Sequence, residues 1–358
     1  MHQRSVIVLL FTLAVALSVQ AQGGQAQGGL YDVPTSATPH SESGTLAYTR
    51  IGRLLVANRL TGTASIVRPI QKQIDAEFEV GRTPSSVAIT PDSSTGVVVS
   101  RDDALLTVID LNGPNDDSAI RARYALGGLP AHVIAGDDSS AYVSQHDGHT
   151  IDQIDLNTGR ILRQVSTPPY PTGMALWGDF LYVTHLYSGA LSLIYLPVGE
   201  VVRTVQTGAS LAHTITLDTR NALAYLPASI VNDAQPAQPY DARFVPVVNV
   251  VDLRTMQVLT DQRIWLPLAD RNAHMPYAAT LNSLRTQLIV TYAGSNTVSV
   301  LDLRTRQALA HVQVGANPRD VLFSRNNLSI YAHDAVDQTL SIVDIAFYAV
   351  EDQLPLST

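Results

Sequence analysis

The amino-acid sequence predicts an all-β chain, and three observations lead to that prediction. Short runs rich in Val, Ile, Leu and Tyr lie between turns rich in Gly, Asp, Asn and Ser, a pattern typical of β-strands. Each repeat holds four such runs, the number found in one propeller blade, and seven repeats can be counted. The sequence therefore predicts a seven-bladed β-propeller of four-stranded antiparallel blades. The repeats can be aligned on a recurring motif, a hydrophobic residue followed by Asp and usually Leu. Its aspartates are Asp110, Asp155, Asp252, Asp302 and Asp344, and Tyr195 occupies the equivalent position in one repeat.

Within each repeat the predicted elements follow a fixed order. Each repeat opens with a turn that contains Gly and often Pro ("GRTP", "GGLP", "GANP"), and a first strand follows it. A polar turn such as "GDDSS" leads to a second strand such as "AYVS". After a loop come a third strand such as "TVSVLDL" and a fourth strand such as "ALAHVQV". Two segments could supply the outermost strand of the last blade, residues 28–36 or residues 346–354. The propeller is predicted at 45–354, with blades at about 45–80, 81–126, 127–166, 167–207, 208–266, 267–314 and 315–354.

The recurring aspartates are predicted to be structural. Each follows an apolar strand, once per blade, at a place where an Asp side chain accepts backbone hydrogen bonds in a turn. The "PDSS" and "GDDSS" stretches are turns as well, because neither has the carboxylate spacing of a calcium loop. We therefore expect no acid/base chemistry from these side chains.

The N-terminus is typical of an export signal. A short positive start that includes Arg4 precedes an apolar run over 6–19 and a small-residue cleavage site ending at Ala21. We expect a signal peptide at 1–21, a secreted, periplasmic or cell-surface location, and no stable membrane span after cleavage, with an uncleaved anchor as the alternative. Residues 22–44 are expected to form a flexible tether and a candidate closing strand.

Composition excludes two classes of function. The chain carries 23 Lys and Arg against 31 Asp and Glu, a net charge of −8, without a long basic run, so no nucleic-acid partner is expected. It contains no cysteine, so it has no disulfide and no covalently attached haem. We expect no resident cofactor, with copper or zinc as the alternative.

Candidate binding residues are predicted to share one end of the propeller. In an antiparallel blade, the connection that enters the first strand and the connection between the second and third strands emerge at the same end, which we call the loop face. An insertion at 227–246 arises over this face. The candidate binding residues of the loop face are Arg101, His132, His146, His185, His213, Tyr240, His274, Tyr292, Asp320 and His333.

The histidines allow three interpretations. His132, His213 and His274 begin innermost strands and would be the core ligands of a copper or zinc site. The same imidazoles could instead contact a protein partner, or they could be polar loop residues on a wet surface. The sequence leaves these alternatives open.

Several motifs resemble those of a known repeat family. "AYVSQ" (141–145), "LYVTH" (181–185) and "TVSVLDL" (297–303), preceded by Gly-x-x-Pro turns, are similar to YVTN-type β-propeller repeats of bacterial and archaeal secreted proteins over about residues 45–345. With its insertion in the fifth unit, the chain looks like the propeller half of secreted proteins in which such a propeller precedes a cytochrome c peroxidase-like di-haem domain. The resemblance implies a protein partner, either a separate di-haem c-type cytochrome or another protein.

Three functions follow from these observations. The first is a secreted, non-catalytic propeller that binds a protein partner through its His-rich loop face. The second is a copper- or zinc-dependent oxidoreductase with its site at the channel mouth. The third is a lactonase-like hydrolase, which has only repeat-level similarity in its favour, since no specific hydrolase motif is present.

Overall fold

The computed structural model describes residues 33–231, 244–266 and 273–357. These residues form seven antiparallel sheets, each built around four consecutive strands. The predicted all-β, seven-bladed β-propeller is therefore confirmed. The signal segment predicted at 1–21 and the first part of the predicted tether lie outside the described residues. Among those that are described, no helix is long and apolar enough to cross a membrane.

The first three blades follow a short N-terminal strand, β1 (His40–Glu42). The first blade comprises β2 (Leu46–Tyr48), β3 (Leu54–Asn58), β4 (Thr63–Arg68) and β5 (Gln73–Glu79). The second comprises β6 (Pro84–Ile89), β7 (Thr95–Ser100), β8 (Leu105–Asp110) and β9 (Ile120–Ala125). The third comprises β10 (Pro130–Ala135), β11 (Ser140–Gln145), β12 (Thr150–Asp155) and β13 (Ile161–Ser166).

The remaining four blades continue in the same order. The fourth comprises β14 (Pro171–Trp177), β15 (Phe180–His185), β16 (Ala190–Tyr195) and β17 (Glu200–Gln206). The fifth comprises β18 (Thr216–Asp218), β19 (Leu223–Val231), β20 (Phe244–Asp252), β21 (Gln257–Val258) and β22 (Ile264–Trp265). The sixth comprises β23 (Pro276–Leu281), β24 (Gln287–Tyr292), β25 (Thr297–Asp302) and β26 (Gln307–Gln313). The seventh comprises β27 (Pro318–Phe323), β28 (Ser329–Asp334), β29 (Thr339–Asp344) and β30 (Ala349–Pro355).

The fifth blade departs from the regular pattern in two ways. Its outermost strand is divided, since β21 and β22 both pair with β20 and a short 3₁₀ turn lies between them. The predicted insertion extends the hairpin of β19 and β20, which pair as far as Val231 and Phe244. Residues 232–243, between these two strands in the sequence, lie outside the described residues.

Burial differs between the inner and outer strands of a blade. Every residue of β11 and β15 is buried, whereas β9 and β30 alternate between partly buried and exposed positions. This follows from the packing, because inner strands have a neighbouring blade on both faces while outer strands meet water. Apolar side chains pack between blades, and Phe78 of the first blade belongs to the same buried cluster as Ile109 of the second. In a chain without disulfides, this apolar burial is the main stabilising contribution.

The ring closes between the first and seventh blades without an exchanged strand. Of the two segments considered for the last blade, the C-terminal one forms β30, which pairs with β29. Leu356, just after β30, is buried in a cluster shared by the two blades. Its carbonyl oxygen accepts hydrogen bonds from Ser65 Oγ at 2.7 Å and Asn58 Nδ2 at 3.3 Å. Side-chain contacts and apolar packing therefore join the ends of the ring.

The recurring aspartates have the structural role predicted for them. Asp155 Oδ1, for example, accepts hydrogen bonds from the backbone N–H groups of Asn157 at 2.9 Å and Thr158 at 2.8 Å. The equivalent bonds form in the turns that follow Asp110, Asp252, Asp302 and Asp344.

The segment before the first blade occupies the central channel. β1 pairs antiparallel with β14, the innermost strand of the fourth blade, and His40 lies opposite Trp177. Further along, the Gly44 carbonyl accepts a hydrogen bond from Ser86 Oγ of the second blade at 2.9 Å. The Leu46 N–H then donates to Asp320 Oδ2 of the seventh blade at 2.9 Å. Residues 40–44, predicted as part of a tether, thus contact the fourth and second blades, and Leu46 at the start of β2 contacts the seventh.

Candidate functional site

A cavity of about 230 Å³ lies on the loop face where the innermost strands begin. All seven blades contribute residues to it, so it is centred on the ring axis. Its lining contains arginine and histidine side chains and, among the described residues, no carboxylate. The charged, imidazole and aromatic lining residues are Arg59, Arg101, His132, His146, His213, Tyr277, Arg319 and His333.

His132 and His213 lie at equivalent positions of two blades. Each is five residues after the glycine that opens its unit, where the chain enters the innermost strand. Burial, with the nearby His146 and Arg319, lowers the pKa of His132 to about 4. Burial, with the nearby His132 and Arg319, lowers the pKa of His213 to about 3. Both imidazoles are therefore neutral at pH 7.

His333 and His146 reach the cavity from the ends of second strands, which lie at the same end of the propeller as the starts of the innermost strands. His333 belongs to β28, and its Nδ1 lies 2.7 Å from Thr45 Oγ1. Burial and Arg319 lower the pKa of His333 to about 3, so it too is neutral at pH 7. His146 follows β11, and burial together with Arg101 lowers its pKa as well.

The positive charge of the cavity comes from three arginines. Arg101 follows β7 and was predicted at this face; Arg59 and Arg319 were not. Arg59 follows β3 at the position equivalent to Arg101, so the repeat alignment contained the signal for it. Arg319 directly precedes the channel residue Asp320. Burial lowers the pKa of Arg59, and the nearby positive charge of Arg319 lowers it further.

Tyr277 orders one wall of the cavity. The imidazole of His213 stacks on the Tyr277 ring with centroids 4.2 Å apart and planes 14° apart. The Arg319 guanidinium lies 5.1 Å from the same ring centroid, a cation–π distance. Arg319 Nε also donates a hydrogen bond to Asn317 Oδ1 at 2.6 Å. These contacts preorganise the Arg319 side chain in the absence of a ligand.

Four other predicted face residues do not line the cavity. His185 is buried within the fourth blade, where its Nε2 lies 2.8 Å from Ser192 Oγ. Tyr292 is buried in the core between the fifth and sixth blades, because strand alternation turns it inward. Asp320 lies deeper in the channel, facing the Leu46 N–H. His274 is exposed and does not line the cavity. Tyr240 lies outside the described residues.

The structure brings two of the three predicted metal ligands together. His132 and His213 line the same cavity, and His274 does not. Within the described residues, no group of three His, Asp or Glu side chains is arranged to hold a metal ion. Copper or zinc at this face stays a prediction.

An aromatic cluster lies beside the cavity on the loop face. The rings of Tyr170 and Tyr187 meet edge to face with centroids 4.8 Å apart. His146 contacts both rings, at 5.3 Å and 6.3 Å, and His149 contacts Tyr170 at 5.2 Å. Tyr187 is 57% exposed and Tyr170 is 39% exposed. We call these four side chains the tyrosine–histidine patch.

Comparisons with known proteins identify the fold. No protein-family model matches the chain, and no curated protein matches it in sequence. Among solved structures, a chain of hydrazine synthase from Kuenenia stuttgartiensis superposes with a TM-score of 0.72 and 17% sequence identity. The match covers 90% of this chain and 99% of that chain. Together with the geometry above, it defines the class: a seven-bladed β-propeller whose channel holds its own N-terminal strand and whose loop face carries a cationic cavity.

Proposed function

We propose that this protein is a non-catalytic β-propeller that binds a partner protein through its loop face. The observation that carries the proposal is the tyrosine–histidine patch, which presents two exposed tyrosines next to a concave cavity. Tyr and Arg are enriched among the residues that dominate binding energy at protein interfaces. Met275 and Val336, 56% and 52% exposed, add apolar surface in loops at the same end.

The partner class that we propose is a c-type cytochrome of the di-haem, peroxidase-like kind. The support is the resemblance of the repeats and of the fifth-unit insertion to the propeller half of propeller–cytochrome fusions. A chain without cysteine cannot attach such a haem itself, so the haem would be carried by the partner. The signal-like N-terminus supports a secreted, periplasmic or cell-surface location, where c-type cytochromes could meet it.

The test compares one patch variant with a matched control. The immobilised mature protein is incubated with periplasmic extract of its native host, and recovered c-type haem is measured by its Soret absorbance. Tyr187→Ala removes an exposed ring from the patch. Phe347→Ala removes an 83% exposed ring from the turn between β29 and β30, at the opposite end of the propeller. We expect haem recovery to fall at least about tenfold for Tyr187→Ala, the loss of a hot-spot side chain, and to be unchanged for Phe347→Ala.

Two results would contradict the proposal in different ways. Recovery of no haem protein by the wild-type chain would exclude the cytochrome partner under these conditions. Equal recovery by Tyr187→Ala and wild type would show that a haem partner binds elsewhere than the tyrosine–histidine patch.

A further inference from the structure

The cavity concentrates positive charge in an acidic protein. Three guanidinium groups and four imidazoles line it, while the whole chain has a net charge of −8. A concave site lined by charge of one sign focuses the field and raises the local concentration of the opposite charge. A ligand that is attracted to this cavity is therefore an anion.

The described carboxylates form no ion pair with the arginines of the cavity, and only Asp102 among them acts electrostatically on Arg59. None of the ion pairs within residues 33–231, 244–266 and 273–357 involves Arg59, Arg101 or Arg319. The two carboxylates that follow Arg101 in sequence bind outside the cavity lining. Asp102 accepts a hydrogen bond from Thr83 Oγ1 at 2.5 Å, and Asp103 pairs with Arg82 at 2.6 Å. The guanidinium donors of the cavity are thus available to a ligand.

Three buried imidazole nitrogens in the lining also lack partners. Nδ1 of His132, Nε2 of His146 and Nε2 of His333 have no hydrogen-bond partner among the described residues. The three side chains are 5%, 7% and 1% exposed, so bulk water does not compensate for the missing bonds. Most buried polar atoms in folded proteins have a partner, so three without one in a single cavity point to a ligand.

The tautomer of His333 determines what such a ligand would meet. A neutral imidazole has one donor and one acceptor nitrogen. When the Thr45 hydroxyl donates to Nδ1 of His333, the ring proton is on Nε2, which becomes a donor. Neutral imidazoles that donate N–H, beside guanidinium forks, suit oxygen acceptors. A metal cation would instead be repelled by three guanidinium charges.

We propose that this cavity binds a small anion, a carboxylate or oxyanion of a few heavy atoms, through Arg59, Arg101, Arg319 and the imidazoles of His132 and His333. The volume of about 230 Å³ lies below the range of pockets for drug-sized ligands, roughly 300–1,000 Å³, which limits the size of the anion. Arg319, held by Asn317 and Tyr277, is the preorganised donor. The inference does not depend on the proposed docking function.

The test is calorimetric titration of the mature protein with sodium succinate and, separately, sodium phosphate at constant ionic strength. We expect at least one of these probes to bind with a dissociation constant of about 1 mM or tighter. Arg101→Gln and Arg319→Gln should each weaken binding at least about tenfold, because each removes charge-assisted hydrogen bonds. Arg319→Lys should recover only part of the affinity, since lysine keeps the charge and loses the planar fork.

The matched control is Arg160→Gln, which removes an exposed arginine from the turn between β12 and β13 at the opposite end of the propeller. We expect it to bind like wild type. Arg101 forms no side-chain hydrogen bond with another described residue, so its variant should fold normally, and unchanged thermal unfolding would verify this. Absence of binding for both probes, or equal weakening by Arg160→Gln, would overturn the proposal.

A second arm distinguishes a free anion from a carboxylate carried by a docking partner. Saturating succinate is added to the pull-down described above. Reduced haem recovery would identify a partner carboxylate as the occupant, and undiminished recovery would identify a free anion. Failure of the calorimetric test with successful haem capture would overturn the anion site and leave the docking function intact.

Discussion

Glu42 places a carboxyl group inside the channel of the propeller. Its Oε1 accepts a hydrogen bond from the Leu217 N–H at 2.6 Å, and burial raises its pKa to about 7. Because the pKa of Glu42 is higher in the folded state than in the unfolded state, protonation of this carboxyl group stabilises the folded state. The resulting stability is fully present below about pH 4.5 and is lost as the pH rises through 7.

We expect Glu42→Gln to remove this pH dependence. Gln keeps a side-chain oxygen for the Leu217 N–H and cannot ionise. Between pH 4.5 and 8, the free energy of unfolding of the wild type should fall relative to that of the variant by up to roughly 3 kcal/mol. Urea unfolding of both proteins at several pH values measures this. A difference that is constant with pH would show that Glu42 does not titrate in this range.

Gly44 is required where the N-terminal segment passes the seventh blade. A Cβ built on Gly44 would lie 2.1 Å from Asp320 Oδ2. We expect Gly44→Ala to lower the free energy of unfolding by about 1–3 kcal/mol, the usual cost of overpacking. Gly127→Ala is the matched control, because a Cβ there meets no atom within 4 Å. Denaturant unfolding that shows equal stability for the two variants would contradict this steric account.

At the scale of single elements, the Asp turn between the third and fourth strands is the repeated device of the fold. We expect Asp155→Ala to lower the free energy of unfolding by about 1 kcal/mol, because the N–H groups of Asn157 and Thr158 lose their acceptor. Asp155→Asn keeps an oxygen at this position and should lose less. Thermal unfolding of the two variants decides this, and an equal loss would indicate a charge effect in place of hydrogen bonding.

The blade elements were predictable from the sequence because their signals are local. Strand alternation, the opening glycine turn and the closing Asp turn each involve residues a few positions apart. His132 and His213 were predicted at the channel rim for the same reason, since each has a fixed spacing from its glycine. His185 and Tyr292 were not placed correctly by this reasoning. At the end of a strand, one residue of register decides between the loop face and the core.

At the scale of the whole molecule, ring closure depends on the tail after β30. Leu356 is fully buried between the first and seventh blades. We expect Leu356→Ala to lower the free energy of unfolding by roughly 2–4 kcal/mol, the usual cost of a large-to-small change in a core. The control, Leu309→Ala, alters a leucine that is 47% exposed on β26. Denaturant unfolding in which both variants lose the same stability would show that the tail does not hold the ring closed.

The sequence by itself determined the repeat, the four strands of each blade, the blade count and the role of the turn aspartates, because all of these depend on short-range periodicity. Only the tertiary structure decided that His40–Glu42 pairs with β14 inside the channel, since nothing local specifies a partner so distant in sequence. It also decided that Arg59 and Arg319 join His132, His213 and His333 in one cavity. Those side chains come from four different blades, and they meet because inter-blade packing and ring closure bring the same end of every blade to a common axis.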